Sequence, residues 1–292
     1  MTTAAEWIEG ARPRTLGAAA APVLLGTAVG APLQQVLWFR ALGALVVAGL
    51  LQVGVNYAND YSDGVRGTDA DRVGPMRLVG SGAASAHAVK RAAALAFVSA
   101  GLIGAWLSFV VDWRLLIIGA FAVAAAVGYT GGAKPYGYRG LGEVMVLVFF
   151  GFVATIGSAY VQTKHVPVAA WWASVIVGFP ACAVLLVNNI RDIDTDVIAG
   201  KYTLAVRLGA PRARIVYRCL MIDACLAVVG LSFAITWWAL LGLVAVPVVV
   251  MLVMSVGSPH PPVLIQVLVG TVRCEMLLAL ACATGVWIGS WI

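Results

Sequence analysis

The sequence predicts an all-α polytopic membrane protein, a bundle of nine transmembrane helices. Three observations carry that prediction. Of 292 residues, 62% are hydrophobic and only 11% charged, against roughly 25% charged in an ordinary soluble domain. The apolar residues fall into runs of the length, about 20, that a helix needs to cross ~30 Å of hydrocarbon, and mean hydropathy is +0.95. The 12 Pro and 32 Gly are scattered through these runs rather than gathered into repeats or linkers. Residues 1–292 therefore read as one integral-membrane domain, and a water-soluble monomer is excluded.

In chain order the expected spans are 15 to 33, 38 to 59, 88 to 110, 113 to 131, 141 to 163, 168 to 190, 213 to 235, 237 to 256 and 263 to 291. The stretch before the first span carries Glu6 and Glu9 and leads into a long apolar run, unlike a cleaved secretory leader. The third and fourth spans, and the seventh and eighth, must turn in very short loops, whereas 60 to 87 and 191 to 212 are long connections. Trp106, Trp113, Trp171, Trp172, Trp237, Trp238, Trp287 and Trp291 fall near span ends, where aromatic belts form. Cys182, Cys219, Cys225, Cys274 and Cys282 show no CxxC or Cys/His grouping, so neither zinc nor a disulfide framework is expected. His87, His165 and His260 are isolated in loops.

The net charge of +6 follows from topology rather than nucleic-acid binding. With the N-terminus in the cytoplasm, 15 of the 19 Lys and Arg lie on the cytoplasmic side, and only Arg40, Arg114 and Lys164 lie outside. That is the positive-inside pattern. Arg273 falls within a span, as do Asp223 and Glu275, and each serves equally well as polar glue or as a functional group.

Positive-inside sorting does not explain the acids. Seven of the 13, Asp60, Asp63, Asp69, Asp71, Asp192, Asp194 and Asp196, lie in the two long cytoplasmic connections, the Asp-rich stretches 56–87 and 188–212. Two carboxylates about 6 Å apart repel by roughly 3 kcal/mol at an effective dielectric near 20, so such clusters imply bound cations or paired arginines. On a helix continuing past the second span, Asn56, Asp60 and Asp63 share one face, and Asn188, Asp192 and Asp196 repeat the arrangement after the sixth. Oxygen donors from two helix ends suit Mg²⁺ completing its shell with substrate phosphates and water. Arg66, Arg72, Arg77, Arg191 and Lys201 are placed to neutralise phosphate oxygens.

The two acidic motifs make the chain resemble the UbiA superfamily of intramembrane prenyltransferases, whose signature is NDxxDxxxD after the second helix and DxxxD after the sixth. Asn59-Asp60-x-x-Asp63 matches the first, with Gly67 where the third Asp is expected and Asp69 two residues on. Asp192-x-x-x-Asp196 matches the second. Within that superfamily, Ala11-Arg12-Pro13-Arg14-Thr15-Leu16, Arg66-Gly67-Thr68-Asp69 with Gly74-Pro75-Met76-Arg77, and Tyr129-Thr130 through Lys134-Pro135-Tyr136 with Glu143 resemble the 1,4-dihydroxy-2-naphthoate prenyltransferases of menaquinone synthesis (MenA).

The resemblance implies a central cavity open to the cytoplasmic side of a bacterial inner membrane, where Mg²⁺, with Mn²⁺ as a substitute, holds a polyprenyl diphosphate for transfer to 1,4-dihydroxy-2-naphthoate. Asp60, Asp63, Asp192 and Asp196 are then the expected metal-diphosphate ligands, Asn59 and Asn188 orient them, and Asn56 is either a ligand or a cap. Lys134 is expected to contact diphosphate or the aromatic carboxylate. Tyr129, Tyr136 and Tyr138 would shield a cation or stack on the ring, Glu143 would meet substrate hydroxyls, and Asp69 either takes the place of the third Asp or stands outside the motif. A same-fold enzyme acting on homogentisate or 4-hydroxybenzoate, or a transporter, are the alternatives. Coupling acids of transporters sit near the midplane, whereas these lie at one face.

Overall fold

The computed structural model describes residues 2–67, 76–132 and 135–292. Helix α1 (Ala4–Gly10) precedes the membrane helices and is closed by a capping box, in which the Thr3 N–H donates to Glu6 Oε2 (2.6 Å) and the Glu6 N–H to Thr3 Oγ1 (3.3 Å). The remaining helices are α2 (Gly17–Gly30), α3 (Trp38–Arg66), α4 (Ala86–Val110), α5 (Arg114–Thr130), α6 (Gly142–Thr163), α7 (Val168–Arg191), the short α8 (Ile193–Ile198), α9 (Leu204–Ala234), α10 (Trp237–Ser255) and α11 (Pro261–Gly289). Among the described residues, seven of these are long and apolar enough to cross a membrane, namely α3, α4, α6, α7, α9, α10 and α11. Two shorter apolar helices, α2 and α5, occupy the other expected positions with 14 and 17 residues, about 21 and 25 Å at 1.5 Å per residue.

Three departures from the expected spans have local causes. Helix α3 runs on to Arg66 and ends at Gly67, whose φ of 71° suits a glycine C-cap, so Asp60 and Asp63 are helical rather than part of a connection. Helix α9 begins at Leu204 instead of 213, with the Thr203 side chain accepting the Val206 N–H, and is broken at Gly209 (φ 73°, ψ 157°) ahead of Pro211. Residues Leu147–Val153 within α6 wind as a π-helix, which an apolar period cannot reveal.

Small residues set the packing. Ala169, Ala170, Ala173 and Ala183 of α7 are buried against α2, α9 and α11. At the α6–α7 crossing the backbones meet at Gly151 and Gly178, where a Cβ on Gly178 would sit 2.7 Å from the Gly151 Cα, so any side chain there must separate the helices. Polar groups in this core are paired where they can be, as in the buried Tyr217–Thr271 hydroxyl pair at 2.6 Å. Glu275 stands out among the exceptions: it is fully buried, and neither carboxylate oxygen has a hydrogen-bond partner among the described residues. Arg273 and Asp223 are exposed on the helix surface. All five cysteines are free.

This close packing is concentrated in α2, α7, α9, α10 and α11. Helix α3 packs chiefly on α4, and between the two groups a cavity of about 790 Å³ opens, walled by α2, α3, α5, α6 and α7.

Candidate active site

One end of the cavity is polar. It is lined by Asn56, Asn59 and Asp63 from α3, Asn188 and Asn189 from α7, Asp192 at the α7–α8 junction, Asp196 from α8, and Lys201. Toward the other end the lining is apolar, with Val23, Leu51, Ala122, Phe149, Phe152 and Val184 among its side chains. It reaches Arg114 and Tyr160, where the Tyr160 hydroxyl donates to Asp112 (2.6 Å) and Arg40 donates to the Val161 carbonyl (2.9 Å). The shape is a long apolar slot with an acidic mouth.

The first motif divides into two stripes of α3. Asn59 and Asp63 face the mouth. The Thr130 hydroxyl donates to Asn59 Oδ1 (2.8 Å), and Asp63 Oδ1 accepts from the Tyr138 hydroxyl (2.7 Å) and from Lys201 Nζ (3.1 Å). Asp60 turns away, corrected from the expected ligand position: it does not line the cavity, is 1% exposed, and accepts the backbone N–H groups of Leu78 (2.7 Å) and Val79 (3.0 Å) on its two oxygens. Both oxygens are therefore engaged by protein amides. Asn56 belongs with Asp60, since its Nδ2 donates to the Ala11 carbonyl (2.9 Å) while it also reaches the cavity wall. The expectation that Asn56, Asp60 and Asp63 act on one face is thus replaced by an i, i+4 pair on each of two adjacent stripes.

The second motif takes several of its bonds from near neighbours in sequence. Arg191 holds Asp192 through both guanidinium and carboxylate ends, with Nε–Oδ1 and Nη2–Oδ2 each at 2.7 Å, and the same Nη2 reaches Asn188 Oδ1 (3.0 Å). Thr203 donates to Asp196 Oδ2 at 3.4 Å. Arg191 supports the acid from behind and does not itself line the cavity.

Tyr138 joins the two halves. Its ring lies 4.9 Å from Lys201 Nζ and 5.3 Å from the Arg66 guanidinium, an arrangement favourable to both cations. Arg66 donates to the carbonyls of Thr130 and Gly132 (2.6 Å each), so it fixes the α5 end rather than facing the mouth. Burial, reinforced by the Asp63 charge, raises the Tyr138 phenol well above its ordinary value. It therefore stays protonated and acts as a donor to Asp63. Burial likewise pushes the Tyr136 phenol up to about 12; its hydroxyl donates to the Ala125 carbonyl (2.8 Å), and its ring meets Tyr129 edge-on at 5.6 Å. Tyr129, Tyr136 and Tyr138 all line the cavity.

Glu143 does not line it. It is buried behind Asn189, whose Nδ2 donates to Glu143 Oε1 (2.9 Å), while Oε2 has no partner among the described residues. Asn189 thus stands on the cavity wall where Glu143 was expected, with Glu143 behind it. Asp69 and Lys134 lie outside the described residues. Arg77 lines the cavity, as expected of a phosphate contact, and so does Arg12, which the sequence offers as a cytoplasmic basic residue and part of the 11–16 motif without a site role.

The donor set fits a hard cation. Asp63, Asp192, Asp196, Asn59 and Asn188 offer carboxylate or amide oxygen at the mouth, but among the described residues no three His, Cys, Asp or Glu lie together closely enough to hold a metal ion by themselves, so an ion here would need phosphate oxygens to complete its shell. That is the pattern of a site that takes an ion together with phosphate oxygens.

Comparison with known proteins agrees with this geometry. Residues 19–260 match the UbiA prenyltransferase family. The chain is 49% identical over 247 residues to the 1,4-dihydroxy-2-naphthoate octaprenyltransferase of Mycobacterium tuberculosis, covering 85% of this chain and 84% of that protein. It is 38% identical over 302 aligned positions to the Escherichia coli protein of the same name, covering 98% and 96%. The structure of a UbiA homolog from Archaeoglobus fulgidus bound to DMAPP and Mg²⁺ superposes with a TM-score of 0.64 at 13% identity, covering 94% of this chain and 98% of that one.

Proposed function

The chain belongs to the UbiA prenyltransferase family, and on that premise we propose that it transfers a polyprenyl group from a polyprenyl diphosphate to 1,4-dihydroxy-2-naphthoate, with loss of CO₂, to give demethylmenaquinol for menaquinone biosynthesis. Relatives at 38–49% identity over most of the chain carry that activity in their names. The observation that carries the reading is the acidic mouth on an apolar slot: Asp63, Asp192 and Asp196 stand where a diphosphate head would enter, and the slot behind them suits a prenyl tail.

Asp63, Asp192 and Asp196 would hold Mg²⁺ or a substituting Mn²⁺, with the Asn59 and Asn188 side chains completing the oxygen set. When bound, the ion supplies charge compensation on the leaving diphosphate. Lys201, which donates to Asp63 here, is within reach of the same head group and adds positive charge that counts more as the allylic C–O bond breaks. The apolar walls exclude water, which would otherwise capture the allylic cation. The ring carbon bearing the carboxylate then bonds to the prenyl carbon, and departure of CO₂ returns its electron pair to the ring. Charge and atoms balance without removal of a ring proton, so no general base is required. The positive-inside distribution supports a mouth that faces the cytoplasm.

The test is a panel of acceptors. Purified protein with Mg²⁺ and octaprenyl diphosphate is offered 1,4-dihydroxy-2-naphthoate, 4-hydroxybenzoate and homogentisate, and lipid products are separated. Prenylation of the naphthoate alone is expected. Preference for another acceptor would move the chain to a different branch of the family, and no product with any acceptor would contradict enzymatic transfer.

A further inference from the structure

Asp60 is the most deeply buried acid of the first motif, and both its oxygens are committed to the backbone of one turn. Its stripe on α3 continues in both directions. One turn back, Asn56 holds the Ala11 carbonyl; one turn on, Gly64 leaves room for Val79, since a Cβ there would sit 2.5 Å from the Val79 Cβ. The two segments docked on this stripe also pack on each other, because a Cβ on Gly10 would meet Leu78 Cδ1 at 2.6 Å. Each segment carries an arginine beside its anchored residue, Arg12 next to Ala11 and Arg77 next to Leu78, and both arginines line the cavity. Arg12 adopts left-handed backbone angles (φ 56°, ψ 64°), one of two non-glycine residues with positive φ among the described residues. Such a conformation is uncommon for a side-chain-bearing residue and persists when surrounding contacts fix it.

The level at which Arg12 is anchored decides what it serves. Asn56 precedes Asp63 by seven residues, about 10 Å along the helix axis, and the next anchor, Gln52 Nε2 to Thr15 Oγ1 (3.5 Å), lies deeper still. The Arg12 backbone is thus fixed well inside the mouth that Asp63 marks. A diphosphate at Asp63 directs its reacting carbon inward, so an aromatic acid that attacks this carbon places its carboxylate at the depth of the Arg12 turn.

We propose that Asn56 and Asp60 are positioning residues that hold the Arg12 and Arg77 turns against the cavity, and that these two arginines receive the carboxylate of the aromatic acceptor. The inference rests on the aromatic-prenyltransferase reading above. A guanidinium matches a carboxylate with two parallel donors, and loss of one such charge-assisted contact in a water-poor site weakens binding by roughly tenfold or more.

The experiment measures equilibrium binding in the absence of metal and prenyl substrate, by quenching of intrinsic tryptophan fluorescence in detergent-solubilised full-length protein. The probes are 1-hydroxy-2-naphthoate and 1-naphthol, which differ only in the carboxylate. Wild type is expected to prefer the acid by roughly tenfold or more. Arg12→Met and Arg77→Met should abolish that preference while leaving naphthol affinity unchanged, and Arg77→Lys should restore part of it. Asp60→Asn should reduce the preference yet leave Mn²⁺ affinity, read by electron paramagnetic resonance, at the wild-type value, whereas Asp63→Asn should lower Mn²⁺ affinity and spare the preference. If Asp60→Asn fails to yield folded protein, Gly64→Ala displaces the same turn and is expected to give the same loss. Undiminished preference in the Arg12 and Arg77 variants, or Mn²⁺ affinity lost in Asp60→Asn, would overturn the proposal. Failure of wild type to prefer the acid at all would instead count against the aromatic-acid reading on which it rests.

Discussion

The acidic motif at the end of α3 takes hydrogen bonds from chain far off in sequence, whereas at the end of α7 Arg191 and Thr203 reach their acids from close by in sequence. Around α3, Asp60 holds the turn at Leu78 and Val79, Asn59 holds Thr130, and Asp63 gathers Tyr138 and Lys201. At α7, Asp192 is held by the adjacent Arg191, and Asp196 leans on Thr203 seven residues on. Two motifs with similar letters thus do different work. The first is a hub on which three distant segments converge, and its disruption should spread. The second places two acids and Asn188 on the cavity wall, and its disruption should be felt at the mouth.

The sharpest way to probe that difference is to remove one acid from each. Asp192→Ala is expected to lower turnover by about 100-fold or more, through loss of charge organisation around the diphosphate, with an unchanged melting temperature. Retention of near wild-type transfer at limiting Mg²⁺ would exclude Asp192 from the site. Asp60→Asn should do the reverse: it removes a charged acceptor from two buried amides, costing about 2 kcal/mol, and should lower the melting temperature by several degrees, read by thermal denaturation in detergent. If Asp60→Asn left stability intact, the hub description would be wrong.

Tyr138→Phe is a smaller cut. It keeps the ring under Lys201 and Arg66 but removes the donor to Asp63, so a loss of a few-fold in kcat/KM is expected, in line with one hydrogen bond. The raised phenol values bear on pH as well. A phenol whose folded value lies above its ordinary one keeps its proton past the usual titration range, so neither Tyr136 nor Tyr138 should produce an alkaline limb in the rate profile below about pH 10. A limb in wild type that vanishes in Tyr138→Phe would contradict this. The smallest effect is expected at Glu275, buried without a hydrogen-bond partner among the described residues and away from the cavity lining. Glu275→Gln should leave acceptor and diphosphate KM unchanged and stability equal or slightly higher, because a neutral amide is easier to bury than a carboxylate.

Much of this was legible in the residues because the bilayer imposes a length scale and a charge rule. Seven of the nine apolar runs correspond to helices long and apolar enough to cross a membrane and two to shorter helices, and the short 111–113 and 235–236 turns fall where expected. The start of α9 was not legible, since residues 204–212 hold two arginines, a glycine and a proline and read as a loop until Thr203 is seen to cap them. At the site, Asp63, Asp192 and Asp196 were recoverable from helical spacing. The position of Asp60 was not: at about 100° per residue, Asn56/Asp60 and Asn59/Asp63 differ by only ~60°, and period alone does not say which stripe meets solvent and which meets a loop. Arg12 was hidden for a different reason. Basic residues at a cytoplasmic span end report topology by default, and only the left-handed turn that carries Arg12 to the cavity distinguishes it from Arg14, which is exposed.

The central claim is decarboxylating prenyl transfer at the Asp63–Asp192–Asp196 mouth, and the carboxyl carbon of the acceptor reports on it directly. With 1,4-dihydroxy-2-naphthoate labelled in its carboxyl group, octaprenyl diphosphate and Mg²⁺, the account predicts one labelled CO₂ released for each unlabelled lipid quinol formed, and neither product from Asp192→Ala. A lipid product that retains the label, or labelled CO₂ released without prenyl diphosphate, would contradict it.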